Sequence, residues 1–172
     1  MSYKKLVKDL MIDVFEYPHV PYWFTIKQTI MILKKSLIGT EKCFYPVAIL
    51  IFDEKYNLLG TLSLKDLMRG LEPRFMRATT DAQAYPKEGP ELALIWDTLF
   101  NKESKDLAEK PVSEIMAPAK FFVEPDDPIT KAAFLMIHND LILLPVLENK
   151  KKFVGLVRLV EIFDEISDAI LK

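Results

Sequence analysis

The feature that most constrains this chain of 172 residues is an internal repeat. The stretch Val7–Met11 runs valine, polar, acidic, aliphatic, methionine, and Val112–Met116 repeats that pattern 105 positions later. When several segments of one half match segments of the other half in the same order, they predict two copies of a structural unit of about 60 residues, here 1–71 and 111–172. Three more pairs recur in that order: Thr25-Ile26 with Pro128-Ile129, Tyr45-Pro46-Val47 with Leu144-Pro145-Val146, and Leu58–Leu62 with Phe153–Val157.

Each copy is predicted to contain a helix, a short strand, a second helix, a β-hairpin and a final helix. Thr25 and Gln28 have capping-box spacing at a helix start, while Asp127 can cap the matching helix with Pro128 in its first position. β-branched and aromatic runs separated by polar turns predict the hairpins. The hairpin strands are predicted at Phe44–Phe52 with Leu58–Leu62 and at Ile142–Leu147 with Phe153–Val157, and the final helices at Ser63–Gly70 and Leu159–Leu171.

This element order predicts an α/β (α+β) fold built from two small sheets. Because a sheet must bury its apolar faces, helices are expected to cover one face of each sheet and the sibling copy to cover the other. The two units are then related by a pseudo-twofold axis.

The segment 72–110 belongs to neither copy. Glu72–Pro90 contains several prolines and a glycine, which predicts an irregular loop. Glu91–Glu109 carries apolar residues at helical spacing, and we expect this amphipathic helix to pack on the units or on a dimer mate. Its stripe consists of Leu92, Ile95, Trp96, Leu99 and Phe100.

The composition excludes several classes of function. Twenty-three basic residues against 25 acidic ones give a net charge of −2, without the concentrated basic face that a nucleic acid polymer requires. One cysteine and two histidines form neither an internal disulfide nor a Cys/His metal cluster. The longest apolar run, Phe44–Phe52, is far shorter than the roughly 18 residues of a membrane span, so we expect a cytoplasmic protein without a membrane segment. No nucleophile elbow or glycine-rich phosphate loop occurs, so we expect no enzyme activity.

The first copy ends in the motif Gly60-Thr61-Leu62-Ser63-Leu64-Lys65-Asp66. With the methionine that follows each first helix and the Pro-Val of each hairpin, the chain resembles a tandem pair of cystathionine-β-synthase-type (CBS) domains, the Bateman module. The resemblance implies regulatory domains that bind AMP, ADP, ATP or S-adenosylmethionine in clefts between the units, with no tightly bound cofactor. It also implies signalling to a separate regulated protein and a homodimer, and the 50% hydrophobic composition favours self-association.

Ser63 and Asp66 are the main candidate binding residues. A helix that starts at Ser63 after a strand presents free N–H groups to a phosphate, and the hydroxyl adds a donor. Asp66, one turn later, can accept hydrogen bonds from both hydroxyls of a ribose, and Tyr45 and Pro46 could form a wall for the base. The same Ser-x-x-Asp spacing is also a helix-capping pattern that needs no ligand.

The second copy carries Arg158 in place of the serine and Glu161 in place of the aspartate. Arg158 can clamp a phosphate bidentately, or it can pair with Glu161 and fill the cleft. If Ser63 and Asp66 only cap a helix and Arg158 fills the second cleft, the chain is a ligand-free dimerisation and protein-interaction scaffold. That scaffold is the alternative to a nucleotide-sensing module.

Overall fold

The computed structural model of the protein describes residues 5–38, 48–72 and 102–172. Within these ranges the order of elements follows the predicted repeat, with a short helix, strands and a longer helix before each hairpin and a helix after it. The helices are α1 (Val7–Leu10), α2 (Ile26–Ile38), α3 (Leu64–Gly70), α4 (Lys102–Leu107), α5 (Ile129–Asn139) and α6 (Leu159–Leu171). The strands are β1 (Ile12–Asp13), β2 (His19–Pro21), β3 (Ala48–Phe52), β4 (Leu58–Ser63), β5 (Ala117–Pro118), β6 (Leu143–Glu148) and β7 (Lys152–Arg158).

The strands form two sheets, each built around one of the predicted hairpins. The first sheet has the order β2-β3-β4-β5 and the second the order β1-β7-β6. In each hairpin the two strands are antiparallel, whereas β2 runs parallel to β3. The predicted strand from Phe44 begins at Ala48 in the described residues, and Tyr45 and Pro46 lie outside them.

The two halves of the chain exchange their shortest strands. β1 precedes the first hairpin in sequence but pairs with β7 of the second sheet, and β5 pairs with β4 of the first. A glycine faces each exchanged strand: a Cβ on Gly60 would lie 2.4 Å from the Ala117 carbonyl oxygen, and one on Gly155 would lie 2.4 Å from the Ile12 carbonyl oxygen. Both positions therefore require glycine, because the neighbouring backbone passes too close for any side chain.

The apolar residues form three layers that confirm the predicted fold class. The first sheet packs against α2 and α3, and the second packs against α5 and α6. Val7 from α1 lies in the core of the second sheet, and Val112, from the second half of the chain, lies in the core of the first. The two halves therefore exchange buried side chains as well as strands. The two sheets meet in a middle layer formed by Tyr17, Ala48, Leu50, Phe52, Leu143 and Leu156.

Two of the predicted helix starts need correction. Pro128, expected as the first helical residue, is the N-cap of α5 with an extended backbone. Asp127, expected as the cap, instead accepts a hydrogen bond from the Glu124 N–H at 2.8 Å and one from Lys131 Nζ at 2.7 Å. Ser63 is likewise the last residue of β4 and the N-cap of α3, because its φ and ψ of −80° and 165° continue the strand.

The capping box predicted for α2 is present. The Gln28 N–H donates to Thr25 Oγ1 at 3.1 Å, and the Thr25 N–H donates to Gln28 Oε1 at 2.9 Å. The segment before the second unit also contacts this helix start. The Lys110 carbonyl accepts a hydrogen bond from the Ile26 N–H, and the Ala108 carbonyl accepts one from the Lys27 N–H.

The end of the segment between the units packs against the first unit. α4 occupies 102–107 of the helix predicted over 91–109, and it buries Ser104 and Leu107. Ser104 Oγ donates to the Leu71 carbonyl at 3.0 Å, which satisfies a carbonyl beyond the end of α3. The stripe residues from Leu92 to Phe100 lie outside the described residues.

Candidate functional site

Ser63 and Asp66 lie side by side at the start of α3. The Asp66 N–H donates to Ser63 Oγ at 3.1 Å, and Asp66 Oδ2 accepts from the Ser63 N–H at 2.9 Å and from its hydroxyl at 2.7 Å. This is a reciprocal capping box, so the capping role is present without any ligand. The serine hydroxyl donates one hydrogen bond to Asp66 Oδ2 and accepts another from the Asp66 N–H. A phosphate could accept a hydrogen bond from this hydroxyl only by displacing its bond to Asp66.

The second carboxylate oxygen of Asp66 has a different environment. Oδ1 lies 3.9 Å from an Arg69 guanidinium nitrogen, and the Asp66 side chain keeps 18% of its surface exposed. A recess of about 360 Å³ opens beside it, lined by Asp66, Arg69, Gly70, Glu72 and Ile115. Because Ile115 comes from the second half of the chain, a molecule in this recess would contact both units. Oδ1 can accept hydrogen bonds there without disturbing the cap.

In the second copy, Arg158 pairs with Glu161. Arg158 Nε donates to Glu161 Oε1 at 2.9 Å, Nη2 makes a short contact to the same oxygen, and the Arg158 N–H donates to Oε2 at 3.2 Å. Arg158 is only 8% exposed. The sequence left open whether Arg158 clamps a phosphate or pairs with Glu161, and in the structure it pairs with Glu161. Its guanidinium group is bonded to a carboxylate, whereas in a phosphate clamp it would face solvent.

Tyr17 lies close enough to this ion pair for both of its charges to affect the pKa of its hydroxyl, and sequence reasoning missed it. Its buried hydroxyl accepts a hydrogen bond from the Ala48 N–H at 3.4 Å. Burial raises the pKa of the Tyr17 hydroxyl; the hydrogen bond from Ala48 and the charge of Arg158 lower it by less, and the charge of Glu161 raises it slightly. A tyrosine before Pro18 carries no sequence signal for this role, because its partners lie far along the chain.

A small cavity lies between the units at the start of β6, where Leu143 is the strand partner of Arg158. It measures about 120 Å³ and is lined by residues of both halves, including Thr61, Phe121 and Leu143. Pockets that enclose drug-sized ligands measure roughly 300–1,000 Å³, so an adenine nucleotide fits only if the walls move apart.

The described residues offer little support for other kinds of site. Across residues 5–38, 48–72 and 102–172, no three His, Cys, Asp or Glu side chains are grouped as a metal site would require. No helix in these ranges is both long enough and apolar enough to cross a membrane.

Solved structures with the same architecture are numerous, although no curated protein sequence matches the chain. The cytosolic domain of the Mg²⁺ channel MgtE in complex with ATP is 24% identical, with a TM-score of 0.61 over 94% of this chain and 48% of that one. CBSX2 of Arabidopsis thaliana in complex with AMP is 17% identical, with a TM-score of 0.64 over 97% and 98% of the two chains. A CBS domain-containing protein of unknown function from Bacillus anthracis is 20% identical, with a TM-score of 0.66 over 96% and 94%.

At these identities the solved structures establish the fold, and the chain spans about half the length of the MgtE domain. The sequence itself provides the second line of evidence, since residues 112–168 match the family model of the CBS domain. That range runs from the helical turn before β5 into α6 and contains the Arg158–Glu161 pair. Residues 112–168 therefore belong to the CBS domain family, and the chain as a whole has the architecture of a tandem CBS pair.

Proposed function

We propose that this protein is a regulatory module that senses an adenine nucleotide or adenosyl compound and acts by binding rather than by catalysis. The observation that carries the proposal is the recess beside Asp66, whose walls come from both units. Two structures with the same fold, MgtE and CBSX2, are complexes with ATP and AMP, which supports this ligand class.

Asp66 would hold the ribose of the ligand. A carboxylate repels a phosphate but accepts hydrogen bonds from neutral hydroxyl donors, and Oδ1 is available for that purpose. The two hydrogen bonds that Oδ2 accepts from Ser63 fix the orientation of the carboxylate before a ligand binds, which reduces the entropy lost on binding. Arg69 also lines the recess, beside the carboxylate of Glu72, and its positive charge would favour the phosphate of a nucleotide.

A bound ligand would be read out through β5. Ile115 lines the recess, and β5 begins two residues later and pairs with β4 of the first sheet. A ligand that draws Ile115 toward Asp66 therefore bears on the pairing of β5, a strand of the second unit, with the first sheet. A separate regulated protein would recognise the resulting change in the relative positions of the units.

Calorimetry with AMP, ADP, ATP and S-adenosylmethionine tests the proposal. We expect at least one of them to bind the unmodified protein, and Asp66→Ala to abolish that binding. Asp9→Ala is the matched control, because Asp9 caps α1 through the same backbone geometry, accepting from the Leu6 N–H at 2.9 Å, and is remote from the motif. Each substitution should cost about 1 kcal/mol of stability, the ordinary loss of a cap. Equal binding by the unmodified protein and Asp66→Ala would reject the site.

A ligand-free scaffold is the second candidate, and one surface favours it. α5 and α6 border an apolar groove of about 500 Å³ whose lining includes Ile137, Ile142, Leu159 and Phe163. Such a groove is typical of an interface between proteins, and a second copy of the chain is its simplest occupant. If none of the four adenine compounds binds and the protein is a stable homodimer, the scaffold function replaces the sensor.

A further inference from the structure

A second and larger cleft lies at the turn ends of the two hairpins. Its volume is about 930 Å³, and both hairpins contribute to its walls. Phe52, in its wall, is four residues beyond Ala48, the strand partner of Ser63, which places the cleft roughly 13 Å from the capping motif at about 3.3 Å per residue. Neither Ser63 nor Asp66 lines it. This cleft is therefore a separate place for a ligand.

An aromatic cluster forms one wall of the cleft. Phe52 lies at its centre, with ring centroids at 5.7 Å from His19, 6.1 Å from Tyr56 and 5.1 Å from Phe153. Phe15 and Tyr56 reach into the cleft and remain 84% and 66% exposed. Exposed rings beside buried ones provide a surface on which another flat ring can stack.

The charged groups of the cleft are mostly positive. Lys55 comes from the first hairpin turn, Lys151 from the second and Lys152 from the start of β7, so lysines of both hairpins line one opening. Among the lining residues that the structure describes, Asp13 is the single carboxylate, and its Oδ1 already accepts from the Phe15 N–H at 2.9 Å. Three cations against one engaged carboxylate favour an anion, although the whole chain has a net charge of −2.

His19 is half-buried in this wall. Its Nδ1 lies 3.0 Å from the Tyr17 carbonyl oxygen. A carbonyl can only accept a hydrogen bond, so Nδ1 carries the proton and Nε2 of the neutral ring is left as an acceptor. The cleft therefore combines aromatic, cationic and hydrogen-bonding groups.

The backbone of Tyr56 is strained in a way that places its ring at the cleft. Its φ is 60°, in the left-handed region that glycine and asparagine adopt readily and that bulky residues avoid. Asp53 supports the turn, because its Oδ1 accepts from the N–H groups of Lys55 and Asn57, each at 2.8 Å. The second hairpin turn contains a residue of the same kind, Lys150 with a φ of 58°, so the conformation belongs to the turns, and at Tyr56 it holds an aromatic ring at the cleft.

We propose that the cleft between the hairpin turns binds a small aromatic anion, a flat ring that carries a carboxylate, sulfonate or phosphate. The ring stacks beside Phe52 and Tyr56, and the anionic group faces Lys55, Lys151 and Lys152. This site is independent of the proposed nucleotide site at Asp66.

The test is an NMR titration of the ¹⁵N-labelled full chain with 2-naphthoate, an aromatic carboxylate. We expect saturable shifts of the amides in both hairpin turns, and at least fivefold weaker binding of the neutral analogue 2-naphthalenemethanol. Tyr56→Asn should weaken naphthoate binding about tenfold while leaving the melting temperature unchanged or higher, because asparagine suits a positive φ. That combination separates loss of the ring from loss of the fold.

Two lysines of the same turn provide a matched pair. Lys151 lines the cleft, whereas Lys150, its neighbour, does not. Lys151→Glu should weaken naphthoate binding about fivefold and Lys150→Glu should leave it unchanged. Equal effects of the two substitutions, equal binding of the neutral analogue, or an absence of shifts in the turns would each overturn the proposal. Asp66→Ala should leave naphthoate binding intact, so failure of the nucleotide site and failure of this one are distinguishable.

Discussion

Asp127 accepts several hydrogen bonds at the place where the first residues of α1 meet the second unit. Its carboxylate accepts hydrogen bonds from the Glu124 N–H and Lys131 Nζ, and its carbonyl accepts one from the Val7 N–H at 2.8 Å. Burial alone would raise the pKa of Asp127, but these two donors outweigh it and hold the pKa below its ordinary value.

The lowered pKa gives a prediction with a definite sign. Stability contributed by a carboxylate with a lowered folded-state pKa is present above the unfolded pKa, near 4, and is lost as the pH falls through the lower folded value. At pH 7, Asp127→Asn should therefore reduce the free energy of unfolding by about 1 kcal/mol. At pH 3, below the unfolded pKa, the difference between the substituted and unmodified proteins should be smaller. Thermal denaturation at the two pH values measures both differences.

Asp126→Asn is the control for this prediction. Asp126 pairs with Lys8 at 2.7 Å, but its side chain is 80% exposed, so we expect no measurable change at either pH. An equal loss in both substituted proteins would mean that general charge, not the bonds of Asp127, determines the effect.

At the scale of elements, the exchanged strands β1 and β5 depend on the two glycines that face them. An alanine Cβ at Gly60 or Gly155 would meet a backbone oxygen that cannot move without displacing the strand. We expect Gly60→Ala and Gly155→Ala each to reduce the free energy of unfolding by about 1–3 kcal/mol, the usual cost of overpacking. Urea denaturation gives the values.

Gly70→Ala offers the comparison. A Cβ there would meet the side-chain methyl groups of Ile115 and Ile26, at 2.9 and 3.0 Å, and these can shift. Alanine also favours the helical backbone more than glycine does. A loss at Gly70 as large as those at Gly60 and Gly155 would contradict the special role of the exchanged strands.

The elements also show how far the sequence could predict the structure. The repeat and the β-branched runs predicted both hairpins and their flanking helices, because these depend on local patterns. The exchange could not be predicted, since β1 and β5 are two residues long and their pairing is set by partners more than 50 positions away. In the candidate site, spacing predicted the contact between Ser63 and Asp66. Spacing did not predict whether Arg158 would face solvent and bind a phosphate or pair with Glu161, because the outcome depends on burial.

At the scale of the whole molecule, the exposed apolar residues of α5 and α6 predict a homodimer. Phe163 is 66% exposed on the rim of the apolar groove, and Phe134 and Ile137 extend the same surface. A stable dimer interface buries about 1,600 Å² in total, an area that two facing helix pairs can supply. We expect sedimentation to give a dimer at micromolar concentration and Phe163→Glu to give a folded monomer.

Phe15→Glu is the control, because Phe15 is even more exposed, at 84%, but lies at the cleft between the hairpin turns. It should leave the dimer intact. A monomer for the unmodified protein, or dissociation by Phe15→Glu alone, would show that the groove is not the interface.

The exchange of β1 and β5 has a consequence for the order in which the chain acquires its structure during synthesis. The first sheet lacks its last strand until residues 117–118 have left the ribosome, although its hairpin ends at Ser63. The second sheet needs the opposite, because its strand β1 is made before either hairpin and must stay available until β7 appears. Neither half can reach its final state alone, so fragments cut within 73–101 should fold only when mixed. Such long-range closure also makes folding slow compared with a chain of two separate domains.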